Sequence, residues 1–553
     1  MLHITLRKIL KPVYLSFCRL NLFEGCDAYS ATETNPRKNL IVSRNYILSN
    51  MPHIPDLVGA FSSHKWGQST MFLPSLFLLA GLFAVAAICR KAYASSTGSR
   101  PLPPSPPKHW FWGNKYHPEQ SYRHVLLGTK YKRELGDIIS TVTLTKTNIY
   151  LNTVELATEL LDKHASVTSD RPPDVMTIDL LGWGTAAGFC NHDEIHKKMR
   201  RVLASALHPT VARSYESQHL YTALSLLREV ASNPGSFMES IDAAIATFTV
   251  RLAYGYSPKT QQGPILFLAH DAIRYLTTSL NKHWLVNDLP LLKYVPSWFP
   301  GAGFKKIAEK GYASRMRYAD TLFDRVLEQV TGASLFTAGS TTTSSLIKSF
   351  FLMACLYPEA AKKAQAEIDS VVGRERIPNL QDKSALPYAE AFVQEVTRMF
   401  PPVPLGLPHF TTEDIQFQGY HIPKGSTLNA NIWAILRDPN HFSSPHTFNP
   451  SRFLGSKPEL DPRRVIFGFG RRVCPGLHVA NNSAWVTCAG LLSVFDIQAG
   501  PQLAAKVARL GGRESERLYE LMEPYGSGDP LPFDCGIKLR DSAALSILDN
   551  SAN

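Results

Sequence analysis

Apolar and polar positions along this chain follow two periods, broken once near the amino terminus by a long apolar run. Residues 71–89 read MFLPSLFLLAGLFAVAAIC, nineteen residues without a charge, closed at once by Arg90 and Lys91. A run of that length is enough to cross a bilayer. Downstream, helices are expected over 194–206, 305–330, 358–372 and 387–400, the third amphipathic and ended by Gly373. Pro475 and Gly476 lead into an apolar run over 477–494 that is expected to be helical. Residues 415–420 and 427–432, joined through Pro423-Lys424-Gly425, read as short strands. The expected fold is therefore mainly α with a minor β-sheet portion, behind one N-terminal transmembrane helix.

In 553 residues, no Gly/Ser linker, low-complexity tract or internal repeat divides the chain after about residue 115. The expected organisation is an extension of unknown role over 1–70, an anchor over 71–91, a basic and proline-rich hinge over 92–114, and one large domain over 115–553. A cleaved signal peptide competes with the anchor, but it calls for a shorter apolar core and a small-residue cleavage site. Arg90, Lys91, Arg100 and Lys108 follow the apolar run and Lys65 precedes it, which puts the body on the cytoplasmic side. Met71 would make a natural start, so 1–70 is either a translated upstream region or an extra targeting arm.

Eight cysteines without a Cys-x-x-Cys pair argue against a disulfide framework or a zinc site and fit a reducing compartment. The net charge of +12 comes without any nucleic-acid-binding signature. Lys197, Lys198, Arg200 and Arg201, with Arg463, Arg464, Arg471 and Arg472, suggest instead a positive face for an acidic protein partner.

Candidate chemistry concentrates in Phe467-Gly468-Phe469-Gly470-Arg471-Arg472-Val473-Cys474-Pro475-Gly476. Gly470 and Gly476 are expected to free the backbone on either side of Cys474, at the mouth of the apolar helix. The helix dipole with Arg471 and Arg472 is expected to lower the thiol pKa and favour a thiolate. Taken alone, Cys474 reads equally as an ordinary buried cysteine in a glycine-rich turn. The full pattern Phe-x-x-Gly-x-Arg-x-Cys-x-Gly resembles the haem-binding loop of the cytochrome P450 family. That resemblance implies Cys474 as axial ligand of haem iron, Phe467 over the proximal face and Arg472 on a propionate.

The same resemblance implies further roles. Ala338-Gly339-Ser340-Thr341-Thr342 is similar to the family's Ala-Gly-x-acid-Thr segment, where a distorted helix handles O₂ and a threonine helps deliver protons. Thr342 matches that threonine, and Thr341 stands in place of the acid. Glu395 and Arg398, with Arg452 from Phe448-Asn449-Pro450-Ser451-Arg452-Phe453, resemble a buried structural triad. His409 is implied near a propionate, and Ala338, Val403, Leu405 and Leu407 at the substrate. Ile195 and His196 stand where a Trp-Arg pair is common, leaving Arg200 to take over that contact. The segment usually found before Ala338, including half of a long central helix, is largely missing.

The loop over 289–301 resembles that of fungal enzymes of secondary metabolism, the branch with O-methylsterigmatocystin oxidoreductase-like enzymes and tryptamine 4-monooxygenase. The function so implied is haem-thiolate monooxygenation of a lipophilic secondary metabolite such as a terpenoid, with haem b as cofactor. Electrons would come from NADPH through NADPH-cytochrome P450 reductase, with cytochrome b5 as a further partner, at the endoplasmic reticulum membrane. The rivals are a catalytically impaired haem-binding protein and a haem-thiolate isomerase or dehydratase.

Overall fold

Polar and apolar residues alternate along Ile138–Thr143 (β1) and Lys146–Leu151 (β2), which pair antiparallel with Ile139 opposite Tyr150. Thr427–Ala430 (β6) adds to β2 in parallel, and His409–Phe410 (β3) closes the four-stranded sheet in the order β1-β2-β6-β3. Leu428 of β6 faces Ile149 on one side and His409 on the other. Ile415–Phe417 (β4) and Tyr420–Ile422 (β5) form one hairpin, and Phe495–Ala499 (β7) with Cys535–Leu539 (β8) another. The expected strand over 415–420 is thus two strands. Gln418 and Gly419 carry positive φ, at 50° and 82°, and turn the chain between them.

The computed structural model describes residues 100–109, 113–114, 121–144, 146–254, 258–323, 329–524 and 527–550. The extension over 1–70 and the anchor over 71–91 lie outside the described residues. Among the described residues no helix is long and apolar enough to cross a membrane. Of the proline-rich hinge, the described part is fastened to the sheets rather than free. Ser140 donates through N–H and Oγ to the Pro104 and Pro103 carbonyls at 2.7 and 2.6 Å, and the His421 N–H donates to Pro101 at 2.9 Å.

Helices make up the rest of the unit Ser99–Asn553. Those that position the site are Glu194–Leu207 (α1), Glu216–Ser232 (α2), Phe237–Tyr254 (α3), Pro258–Asn281 (α4), Gly303–Phe323 (α5), Gln329–Leu356 (α6), Pro358–Val371 (α7), Pro387–Met399 (α8) and Leu477–Val494 (α9). The central helix α6 lies against α3, α8 and α9. Phe350, Phe351, Phe392 and Trp485, contributed by α6, α8 and α9, are all fully buried and fill the main core. From Ser483 to Val494 every residue of α9 is buried, Ser483, Thr487 and Ser493 among them.

Two expectations need correction. Helix α5 ends at Phe323, short of the expected Val330, and α6 is a 28-residue helix that starts nine residues before Ala338. Nor does the Gly-Ser-Thr-Thr-Thr stretch break it. The hydroxyls of Ser340, Thr341 and Thr342 donate to the carbonyls of Phe336, Thr337 and Ala338, at 2.8, 3.3 and 2.8 Å. Each hydroxyl thus shares an i−4 carbonyl with the helix ladder, a contact that weakens a helix slightly without ending it.

Candidate functional site

Cys474 lies in the turn that leads into α9, whose cap is Gly476. Its N–H donates to the Phe467 carbonyl at 2.8 Å, closing the ten-residue loop on itself. Positive φ occurs at Gly468 and Gly470, at 79° and 58°, whereas Gly476 has an ordinary φ of −88°. The glycine requirement therefore falls on 468 and 470. At 470 a Cβ would overlap the Leu161 carbonyl, and the Gly470 N–H is held by the Asp162 carboxylate. Gly476 contributes its N–H, which hydrogen-bonds the Cys474 sulfur.

The thiol itself differs from expectation. Burial pushes its pKa up, while the Gly476 N–H and the charge of Arg200 pull it down. The cation beside the sulfur is therefore Arg200, not Arg471 or Arg472. Arg471 points to solvent, and Arg472 is buried and turned away to the carbonyls of Ser169 and Cys190, at 2.6 and 2.8 Å. Arg200 reaches the loop from α1 and donates to the Val473 carbonyl at 2.7 Å.

Beside this loop the fold gathers arginines and imidazoles, with Asp162 on the Gly470 N–H and Asp170 on the His192 N–H as the neighbouring carboxylates. Arg171 donates to the Gly188, Leu407 and Pro408 carbonyls, at 2.8, 3.1 and 2.5 Å. His409, in β3, donates Nδ1–H to the Thr168 carbonyl at 2.9 Å; burial first, then Arg171 and Arg472, bring its pKa down to about 3. His196 is buried, and burial, Arg472, His192 and Arg200 lower its pKa to about 3 as well. His192 meets it Nδ1 to Nδ1 at 3.1 Å, one imidazole donating and the other accepting.

Among the described residues no carboxylate stands within ion-pair distance of Arg171, Arg200 or Arg472, although Asp170 lies close enough to act on Arg472 electrostatically. An unpaired guanidinium taken out of water costs several kcal/mol. Such a cluster suits a ligand that brings its own carboxylates, as a haem with two propionates does, and the Cys474 thiol supplies a soft ligand for its iron. The residues present fit that group.

Sequence reasoning missed Arg171 and His192 as members of this cluster, and read His196 as part of a positive surface rather than as a buried group. Ile195 is exposed and His196 points inward, so the α1 position facing the site is 196. Asp193 capping the His196 N–H at 2.8 Å was a readable sign of where that helix begins, and hence of which face turns in. The expected positive face is smaller than its arginine count. Arg463 is paired with Glu390 and Asp461, and Lys197 with Glu194.

Across α6, Ala338 is exposed and Gly339 half-buried, with Thr249 of α3 at ordinary contact distance from a would-be Cβ at 339. Ser340 and Thr341 line a cavity of about 1250 Å³ together with Leu405. Ala338, Thr342, Val403 and Leu407 are not among its lining residues; Leu407 is largely exposed and gives its carbonyl to Arg171.

The expected triad meets in space. Arg398 donates Nε and Nη2 to the two Glu395 oxygens at 2.7 and 2.8 Å, and Arg452 donates Nε to Glu395 at 3.1 Å. Glu395 and Arg398 are both wholly buried.

A family model described as Cytochrome P450 matches residues 103–311 and 318–507. The chain belongs to the cytochrome P450 family. Among curated proteins it is 33% identical to cytochrome P450 monooxygenase 208 of Postia placenta, over 80% of this chain and 91% of that one. It is 32% identical to cytochrome P450 monooxygenase claR of Ampulloclitocybe clavipes, over 77% and 84%. To cytochrome P450 monooxygenase COX2 of Coprinopsis cinerea it is 30% identical, over 84% and 95%. The chain is an enzyme of the monooxygenase class, and its cytochrome P450 family implies haem and electrons from a redox partner.

Proposed function

We propose that this cytochrome P450 inserts one oxygen atom from O₂ into a lipophilic secondary metabolite, such as a terpenoid, with haem b held through Cys474. The observation that carries the reading is the set of arginines beside Cys474, Arg171 and Arg472 buried and Arg200 half-buried, that lacks carboxylate partners within ion-pair distance among the described residues. Bound haem supplies the oxygen-activating and electron-accepting chemistry that no side chain can. Arg472, His409 and Arg200, joined by Arg171 and His196, would hold its propionates. Phe467 and Gly470 shape the loop, and Ala338 and Gly339 leave room on the opposite side.

Thr342 is assigned the proton path. Its Oγ1 donates to the Ala338 carbonyl at 2.8 Å, so its lone pairs are left to accept from water on the exposed side. Thr341, also a hydroxyl, occupies the position of the usual acid and lines the cavity. Leu405 supplies apolar wall, and Val403, Leu407 and Ala338 are proposed to meet the substrate from the flanks of the same space. The expected result for Thr342→Ala is unchanged haem content and melting temperature, continued NADPH consumption with NADPH-cytochrome P450 reductase, and severalfold less product per NADPH over a panel of terpenes. Equal coupling in wild type and variant would remove Thr342 from the mechanism. No NADPH consumption in either, with haem loaded and reductase in excess, would favour the catalytically silent rival; product without NADPH would favour the isomerase or dehydratase.

Localisation at the endoplasmic reticulum membrane, with the catalytic body cytoplasmic, rests on the apolar run over 71–89 and the basic residues after it. Lys198, Arg201, Arg464 and Arg471 are the cations proposed to face the reductase, and cytochrome b5 as a second donor. Deletion of residues 1–91 should move the protein from the membrane pellet to the supernatant. Leu291, Tyr294 and Trp298 are 79%, 74% and 79% exposed, in the loop that suggested the secondary-metabolism branch. Retention of the truncated protein after a high-salt wash would assign membrane contact to that loop as well.

A further inference from the structure

The cavity beside the central helix has a charged end that monooxygenation of a purely apolar body leaves without a role. Ser340, Ser344 and Lys348 follow one another at four-residue spacing on α6, so they form a polar stripe along one side of it. Lys348 donates to both oxygens of Asp242 on α3, with Nζ at 2.7 Å, and Ser344 donates to the same carboxylate. That side-chain pair is asymmetric: Lys348 is 11% exposed and Asp242 42%. Both groups line the cavity, and the carboxylate is the more exposed of the two.

A second carboxylate is delivered to the same place from far along the chain. Ser345 donates to the Gly528 carbonyl at 3.0 Å, and the Gly528 N–H donates to Pro402 at 2.8 Å. A Cβ at 528 would overlap the Pro401 carbonyl, so the loop is wedged between α6 and the 401–402 turn. That wedge fixes Asp529, which lines the cavity with Asp242, Lys348, Ser340 and Thr341. Burial raises the Asp529 pKa, Asp242 adding to the effect while Lys348 and Ser345 oppose it. Two carboxylates share one ammonium there. Of the other cations that line the cavity, Arg274 is paired with Asp271, Lys282 sits over the Trp284 ring, Arg123 sits over the Tyr150 ring, and Lys146 belongs to β2.

We propose that Asp242 and Asp529 form a head-group site for a substrate that carries a protonated amine on an apolar body. The inference rests on the reading of this cavity as the substrate pocket. Seven residues separate Thr341 from Lys348, about 10 Å along the helix axis. A ligand tethered by its ammonium at the charged end would lay its chain along α6 toward Thr341 and Leu405. Oxidation is then expected at carbons remote from the nitrogen.

The test is a calorimetric titration of haem-loaded protein with octylammonium, 1-octanol and octanoate, followed in parallel through the Soret band. Wild type should bind octylammonium about tenfold more tightly than 1-octanol, as a charged hydrogen-bonded contact allows, and octanoate most weakly. Asp529→Asn should remove about that tenfold preference and leave 1-octanol affinity unchanged; Asp529→Glu should keep the preference. If Asp529→Asn fails to fold, the wild-type ligand series decides the matter by itself. Equal affinity for the three probes, or a nitrogen-ligated Soret band with a preference that survives Asp529→Asn, overturns the site. That failure, with the thiolate band under carbon monoxide intact, would leave the role of Cys474 untouched. An ammonium preference lost in Asp529→Asn but found in protein without the thiolate band would do the reverse.

Discussion

Cys474→His abolishes the strongly red-shifted Soret band that the wild type, reduced and exposed to carbon monoxide, is expected to give. The loop is closed by the Cys474 N–H on Phe467, and Gly470 fits only because a side chain there would collide with Leu161. The sulfur is held by the Gly476 N–H, with Arg200 the cation beside it. In the metal-free thiol, burial wins over both and keeps the proton on; a bound metal ion is the stronger charge and takes the thiolate outright. Histidine would bring a neutral nitrogen on a longer side chain into a loop shaped for sulfur, so even a variant that retains haem would lose the thiolate signature. The checks are haem content and the reduced carbon monoxide difference spectrum. A thiolate band that persists in Cys474→His, or that is absent from folded, haem-loaded wild type, would overturn the assignment.

Arg398→Ala is expected to cost about 3–5 kcal/mol of stability and most of the soluble, haem-loaded protein, the range for breaking a buried pair by removing one partner. Arg398 holds more than Glu395. It also donates to the Leu436, Pro445 and Thr447 carbonyls, at 3.0, 2.7 and 3.3 Å, and so ties α8 to two later turns. Its loss strands the Leu436 and Pro445 carbonyls, leaves Thr447 to Arg452 Nη2 at 3.0 Å, and leaves Glu395 to Arg452 and the Asn449 N–H, at 3.1 and 2.8 Å. Arg452 is itself shared with Glu459 at 2.6 Å, so it cannot compensate fully. Thermal melting and haem per polypeptide test this. A melting temperature within a degree or two of wild type would mean the triad is a replaceable contact.

The sequence period determined α1, α7, α8 and α9, and left α2, α3 and α4 unread. The largely apolar run over 477–494 became α9 with those bounds, and α7 and α8 end within a residue of expectation, before Gly373 and Pro401. Strands were read less well. The hairpin at Gln418-Gly419 went unseen because a two-residue turn leaves little mark on a short alternating run, although Gly419 was available as a signal.

At the site, the sequence by itself singled out Cys474 and named Glu395, Arg398 and Arg452, because those residues stand in motifs whose spacing is local. What it could not determine is which charges meet across the fold. Arg471 and Arg472 are adjacent in the chain, yet one is exposed and the other buried, and neither stands by the sulfur as Arg200 does from 274 residues earlier. Likewise Asp242, Lys348 and Asp529 come from three separate stretches and carry no motif. Periodicity reports which face of an element is buried; only packing decides what that face is buried against, and a charge takes its meaning from the partner it finds there.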